Sequence, residues 1–494
     1  MSWVAGGRVD RKPLARLSHR LAVAALVVSA LAVSMAPQLA VADLPDSIDR
    51  ALASLGVPAD DVSILVRRLD SPEPLLSHLP DEPRNPASVM KLVTTWSALA
   101  LLGPAYTWPT EVYFDGDFDG SRLHGDLGIK GYGDPFLVIE EFWKLLRSIR
   151  RIGLSEIEGD LRLDTSFFEI PYEDPGAFDG QPYRTYNVGP NALLVNFKAV
   201  RFFFLADTVN HRVFVSSDPE LPNLDIRNRI ELVDGPCRGY QAGISFNVDD
   251  PETMSRVIFE GQFPARCNNY SLSRTVLDHD NYAYGIFRSL WSELGGSLAG
   301  RLSQGPIPDD ARLFLTWESP PLAEIIRSIN KNSNNVMTRQ LLLTLGAEHR
   351  GVPGTERNGA EVIQEFLYSE GLNDGSLHIV NGAGLSRDSR VSAQLLVDML
   401  AAAAKTAYAP EFIASLSIAG LDGTTRDRYD DASGNGVMHV KTGRLDHVSA
   451  LAGYTHGNDD ALYALAILMN SNDAHRGLGQ ELEAAVLRWL HTQI

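Results

Sequence analysis

Ser88 and Lys91 stand three residues apart in Asn85-Pro86-Ala87-Ser88-Val89-Met90-Lys91, and much further along come Ser333-Asn334-Asn335 and Lys441-Thr442-Gly443. A serine hydroxyl becomes a competent nucleophile when a base takes its proton, and a lysine is a base only while neutral. Burial and a second cation nearby both favour the neutral amine, and Lys441 is the candidate cation. Ser333 can relay a proton towards a leaving nitrogen, and the Asn335 amide can hold a substrate amide while touching Lys91. Lys441 and Thr442 offer a cation and a hydroxyl side by side, which suits a carboxylate, while Gly443 would let a substrate backbone lie flat against a strand. The chemistry so described is attack on an acyl group close to a free carboxylate. The backbone N–H groups of Ser88 and Arg444 are the expected oxyanion donors. Each motif alone has a plain reading: an exposed helical pair, a turn, a strand end with a solvated lysine. Their occurrence together, in order and each in suitable local structure, carries the assignment.

The elements that must position these residues are legible around them. Residues 88–102 form an apolar run long enough for a buried helix, with Asn85 placed to cap it, Pro86 at its first position and Gly103-Pro104 to stop it. Residues 62–66 alternate as a half-buried strand does. Strands are expected at 437–443, 449–456 and 461–470, the last two joined by the turn at 457–460, and a final helix at 478–491. Helical periodicity marks 282–294, 321–331, 335–345, 359–370 and 392–404. Between 105 and 277 the texture changes to short β-like runs broken by Gly, Asp and Pro, with an echo between Gly125-Asp126-Leu127-Gly128-Ile129 and Gly159-Asp160-Leu161-Arg162-Leu163. The expected organisation is α/β (α+β). Residues 43–104 and 278–494 form one discontinuous catalytic domain, an antiparallel sheet flanked by helices, interrupted by a β-rich insert at 105–277.

The first 42 residues are read as a secretory signal peptide cut after Ala42. Arg8, Arg11, Lys12, Arg16 and Arg20 precede an apolar run at 21–36, about 16 residues and shorter than the ~20 a spanning helix takes, and Ala40-Val41-Ala42 follows. This leader holds those five basic residues and one acidic one, so the net charge of −18 becomes −22 once it is gone. So acidic a chain excludes nucleic acid as a partner and allows at most peripheral membrane association. The apolar side of 478–491 (Leu482, Ala485, Val486, Trp489, Leu490) is expected to dock on the sheet. Cys237 and Cys267 are the only cysteines, and in an exported protein they are expected to form one disulfide. The twelve histidines are scattered without a His-Glu-x-x-His, so no metal or other cofactor is implied, and His439 and His447 beside the third motif are read as structural.

These residues resemble those of the penicillin-recognising serine enzymes, and more narrowly the D-alanyl-D-alanine carboxypeptidase/endopeptidase group of low-molecular-mass, class C penicillin-binding proteins. The narrower resemblance is carried by Gly131-Tyr132-Gly133-Asp134-Pro135, Asp164-Thr165-Ser166-Phe167-Phe168, the stretch 186–196, Asn381-Gly382-Ala383-Gly384-Leu385-Ser386-Arg387 and Gly420-Leu421-Asp422-Gly423-Thr424-Thr425-Arg426. It implies a transpeptidase/β-lactamase-like domain interrupted by a large insert, in keeping with the roughly 245 positions between Ser88 and Ser333. It also implies Ser88 as acyl-ester nucleophile, Lys91 as base, peptidoglycan peptide stems as substrate, trimmed of terminal D-alanine or cleaved at a cross-bridge as by a D,D-endopeptidase, and β-lactam antibiotics as acylating inhibitors, in the periplasm. Arg444 departs from the small polar residue usual after the third motif, and a cation there would meet a second carboxylate or obstruct some substrates. Two rival functions are a serine β-lactamase, against which stands the lack of a clear Glu-x-x-Leu-Asn loop, and a non-catalytic wall-binding protein, against which stand Ser88, Lys91 and Lys441.

Overall fold

The strand Leu462–Asn470 is apolar along nearly its whole length because both of its faces are covered. It lies fourth in a six-stranded antiparallel sheet, in the spatial order Ser417–Ile418, Met438–Leu445, Val448–His456, Leu462–Asn470, Val62–Arg68 and Pro74–His78. The N-terminal strand therefore pairs with the C-terminal one, Val62 opposite Met469 and Arg68 opposite Tyr463. A computed structural model describes residues 44–249, 254–267, 270–429, 436–458 and 460–494. The expected signal peptide lies outside the described residues, as does Asp459 in the turn expected at 457–460. No described helix is long and apolar enough to cross a membrane.

One face of this sheet, with Leu65, Ala450, Ala452, Ala464, Ala466 and Leu468, packs on the helices Met90–Leu102, Leu322–Asn332, Asn335–Arg350, Glu356–Ser369 and Ala393–Ala403. The other face, with Val62, Ile64, Val440, Leu451 and Ile467, is covered by Asp46–Leu55 and Leu478–His491. This double cover corrects the half-buried reading of 62–66, where every residue is buried. Ser63, the one polar residue there, accepts a hydrogen bond from Arg84 Nε at 2.7 Å. The C-terminal helix docks on the sheet as expected, through Leu482, Glu483, Val486, Leu487 and Leu490, while Ala485 and Trp489 lie at its half-buried rim.

The second region is built on a seven-stranded sheet centred on Pro109–Phe118 and Arg122–Gly131. Here the sequence echo acquires a structural meaning: Arg122–Gly131 and Leu161–Asp164 pair in parallel with Leu127 opposite Leu161 and Ile129 opposite Leu163. Two three-stranded sheets lie beyond. Cys237 and Cys267 are joined there by a disulfide, Cα atoms 5.4 Å apart. The expected boundary at 277 falls too early. Tyr282, Ile286, Phe287, Leu290 and Trp291 of the helix His279–Glu293 bury into the core of this region, and Arg312–Glu318 completes its sheet by pairing with Pro109–Phe118. Helical periodicity reports that one face is buried; it does not say against which core.

Candidate functional site

Ser88 is half-buried in a 3-10 turn, Ala87–Val89, that runs directly into the helix Met90–Leu102. The helix thus begins two residues later than expected. Pro86 precedes the turn without a side-chain cap, and Asn85 Oδ1 accepts the Ala87 N–H at 2.9 Å. Asn85 does more than cap: its Nδ2 donates to the carbonyls of Ser386 (2.8 Å) and Arg387 (3.1 Å), and its backbone exchanges hydrogen bonds with the Asn470 side chain. Ala87 has φ +45°, a left-handed conformation that costs a non-glycine residue of order 1 kcal/mol or more and persists only where the surroundings enforce it. Gly384 is part of that enforcement, since a Cβ there would collide with the Ala87 carbonyl oxygen.

Lys91 is fully buried. Its Nζ lies 3.0 Å from Ser88 Oγ, 2.7 Å from Asn335 Oδ1 and 2.6 Å from the Ala383 carbonyl oxygen. Burial, and next the charge of Lys441, hold the amine well below the usual lysine range. A neutral amine has two N–H donors and one lone pair. The Ala383 carbonyl and Asn335 Oδ1 can only accept, so they take the two donors and leave the lone pair for the Ser88 hydroxyl. Asn335 Nδ2 in turn donates to the Tyr186 carbonyl at 3.0 Å, which fixes the orientation of the amide.

Ser333 ends the helix Leu322–Asn332 at φ +54°, and Asn334 caps the next helix by accepting the Met337 N–H, so the expected turn and the candidate site coincide. Lys441, also fully buried, donates to Ser333 Oγ at 2.9 Å and to the Thr442 carbonyl at 2.7 Å. Burial first, and then the Arg428 charge, push its pKa down to about 7. Thr442 Oγ1 lies 2.8 Å from Thr424 Oγ1. Among the described residues, the short strand Ser417–Ile418 pairs with Val440 and His439 and does not extend the pairing to Lys441. The structure adds a second reason for Gly443: a Cβ there would strike the Pro86 carbonyl and crowd the Ala87 methyl, so the bare backbone admits the Ser88 turn itself. Arg444 lies inside the strand Met438–Leu445, not past its end, and is exposed.

Ser88, Lys91 and Asn335 thus form one hydrogen-bonded set and Ser333 and Lys441 a second, with the Lys441 charge felt at Lys91, and Thr442, Gly443 and Arg444 follow on the same strand. The residues without an expected role are Ala383, whose carbonyl holds Lys91, and Thr424, Tyr186 and Arg428. The glycines of Asn381-Gly382-Ala383-Gly384 were the available signal. His439 contacts the Ile413 carbonyl at 3.2 Å, in line with a structural part.

The family model for D-Ala-D-Ala carboxypeptidase 3 (S13) matches residues 44–493. The D-alanyl-D-alanine carboxypeptidase of Actinomadura sp. strain R39 is 28% identical over 446 residues, covering 88% of this chain and 82% of that protein. Penicillin binding protein 4 of Haemophilus influenzae superposes with a TM-score of 0.77 at 21% identity, over 91% of this chain and 100% of that one. The same protein complexed with a β-lactam gives 0.73 at 20% identity, over 90% and 100%. The class defined is that of the low-molecular-mass, class C penicillin-binding proteins, with the transpeptidase/β-lactamase-like fold. The chain belongs to the D-Ala-D-Ala carboxypeptidase 3 (S13) family and is a serine D,D-carboxypeptidase.

Proposed function

We propose that this enzyme, exported to the periplasm, removes the terminal D-alanine from peptidoglycan peptide stems through an acyl-Ser88 intermediate. Ser88 Oγ attacks the penultimate carbonyl as its proton passes to Lys91 Nζ. The oxyanion is held by the N–H groups of Ser88 and Arg444. Lys91 then returns the proton through Ser333 to the departing amine, the C–N bond breaks, and free D-alanine leaves. Water cleaves the Ser88 ester by the same proton route. Lys441 and Thr442 grip the terminal carboxylate. Arg444, two residues or about 6.6 Å further along the strand, meets a second carboxylate on the acyl side. The catalytic unit is built from both ends of the chain, and the second region is the insert that shapes one side of the cleft.

The observation that carries this reading is the buried Lys91 amine, hydrogen-bonded to Ser88 and to two groups that can only accept. β-Lactams, which place an acyl group beside a carboxylate, would form a persistent ester at Ser88, as the β-lactam complex of the Haemophilus protein supports. Incubation with monomeric and cross-linked muropeptides tests the reading: loss of one alanine from monomers is the expected mass change. Fluorescent penicillin should label the wild type and not Ser88→Ala. Equal labelling of both would remove Ser88 from the mechanism, and rapid multiple turnover of nitrocefin would make the enzyme a β-lactamase instead.

A further inference from the structure

The hairpin turn Asp446-His447 follows directly on the strand that carries Lys441, and it meets the loop holding residues 473–475. His447, Asp473 and His475 each bring one metal-ligating atom to within 4.8 Å of the other two. Nδ1 of His475 accepts the His447 N–H at 2.9 Å, and Nδ1 of His447 accepts the Asp473 N–H at 3.2 Å. A ring nitrogen that accepts from a backbone N–H carries no proton, so both rings present an unprotonated Nδ1. Nε2 of His475 stands 3.6 Å from Asp446 Oδ1, beyond hydrogen-bonding distance. These positions are distant in sequence, and no motif links them.

We propose that His447 Nδ1, His475 Nδ1 and the Asp473 carboxylate bind a divalent ion of the zinc class, with water in the fourth position. Two imidazoles and one carboxylate suit zinc, whereas magnesium and calcium take oxygen ligands. Ligand atoms on a tetrahedral zinc lie about 3.3 Å apart, given Zn–N bonds near 2.0 Å, so the groups close in by roughly 1.5 Å at most. The ion takes over the two nitrogen lone pairs, and the backbone N–H groups of His447 and Asp473, both exposed residues, turn to water. Arg476, 3.4 Å from Asp473 Oδ1, and Arg387, 3.3 Å from Asp446 Oδ2, face the cluster and lower its affinity. The bound ion staples the turn to the 473–475 loop. The turn also reaches Arg387 through Asp446, and the Arg387 carbonyl is held by Asn85. The site is independent of the serine chemistry.

The test is calorimetric titration of the EDTA-treated full chain with ZnCl2, with Co2+ absorption as a second signal. The expected result is one zinc per chain, a thermal midpoint raised by a few degrees, and at least a tenfold loss of affinity in both His447→Ala and His475→Ala. Penicillin labelling of Ser88 in the variants verifies that they fold, and MgCl2 should give no isotherm. Absence of saturable zinc binding in the wild type, or unchanged affinity in the two histidine variants, would overturn the site.

Discussion

The paired surface arginines of the second region and the two lysines of the cleft are treated in opposite ways. Three arginines of the second region sit on the surface against carboxylates: Arg122 with Glu156 at 2.7 Å, Arg229 with Glu260 at 2.9 Å, Arg256 with Asp225 at 2.8 Å. Such pairs are solvated and contribute little to stability. In the cleft, Lys91 and Lys441 are fully buried, and their hydrogen bonds run to neutral oxygens, Asn335 Oδ1 and the Ala383 carbonyl for one, Ser333 Oγ and the Thr442 carbonyl for the other. Burial without a compensating carboxylate disfavours the charged form, which is what the proposed role of Lys91 as a base requires. The same side-chain chemistry yields solubility in one place and reactivity in the other.

The sharpest way to break this contrast is Lys91→Met, which keeps most of the side chain and removes the proposed base. Acylation by a fluorescent penicillin should slow by about a thousandfold, with the thermal midpoint showing that the protein still folds; a rate near wild type would make Lys91 a structural residue. Lys441→Ala should cost around a hundredfold in kcat/KM towards a stem ending in a free carboxylate, and much less towards its C-terminal amide, because the charge-assisted bond is absent from the latter. Equal losses on both substrates would assign Lys441 to folding alone.

The pH profile sharpens the comparison further. In the proposed mechanism Lys91 acts when neutral and Lys441 when charged, so kcat/KM should rise as Lys91 loses its proton and fall, up to tenfold per pH unit, as Lys441 loses its own above about 7. A flat alkaline limb to pH 9 would contradict the buried environment of Lys441.

Asp134 is a buried acid whose Oδ2 has no hydrogen-bond partner among the described residues, and burial raises its pKa to about 7. Between pH 4 and 7 the unfolded chain ionises while the folded one keeps the proton, so stability falls as pH rises through that window. Asp134→Asn, which imitates the protonated acid, should melt higher than wild type at pH 8 and lose that advantage towards pH 4; a variant less stable at pH 8 would mean that the carboxylate is needed. The smallest effect is expected from Arg229→Ala on the surface of the second region, where thermal melts should move by no more than about a degree.

The helix behind the nucleophile, the three apolar strands of the catalytic sheet and the docking of the C-terminal helix were all legible, because a long apolar run or a clear period admits few alternatives. The extent of the second region was not. The helix His279–Glu293 has a buried face that fits either core, and Arg312–Glu318 declares its partner only by pairing with a strand some two hundred positions earlier. At the site, Ser88, Lys91, Ser333, Asn335 and Lys441 could be named from type and order alone. The Ala383 carbonyl could not, since a backbone acceptor leaves no trace in residue identity, and only the glycines beside it hinted at a close approach.

What the sequence by itself determined was therefore the chemical inventory: a hydroxyl, two amines, an amide and a glycine, each on an element whose local pattern was plain. Tertiary structure decided their state. Packing removed water from two lysines, aligned one lone pair with Ser88 by occupying its other donors, and bent Ala87 into a conformation that only contacts from Gly384 and its neighbours can hold. Those outcomes depend on dielectric and on distances between residues remote in the chain, quantities that no local pattern encodes.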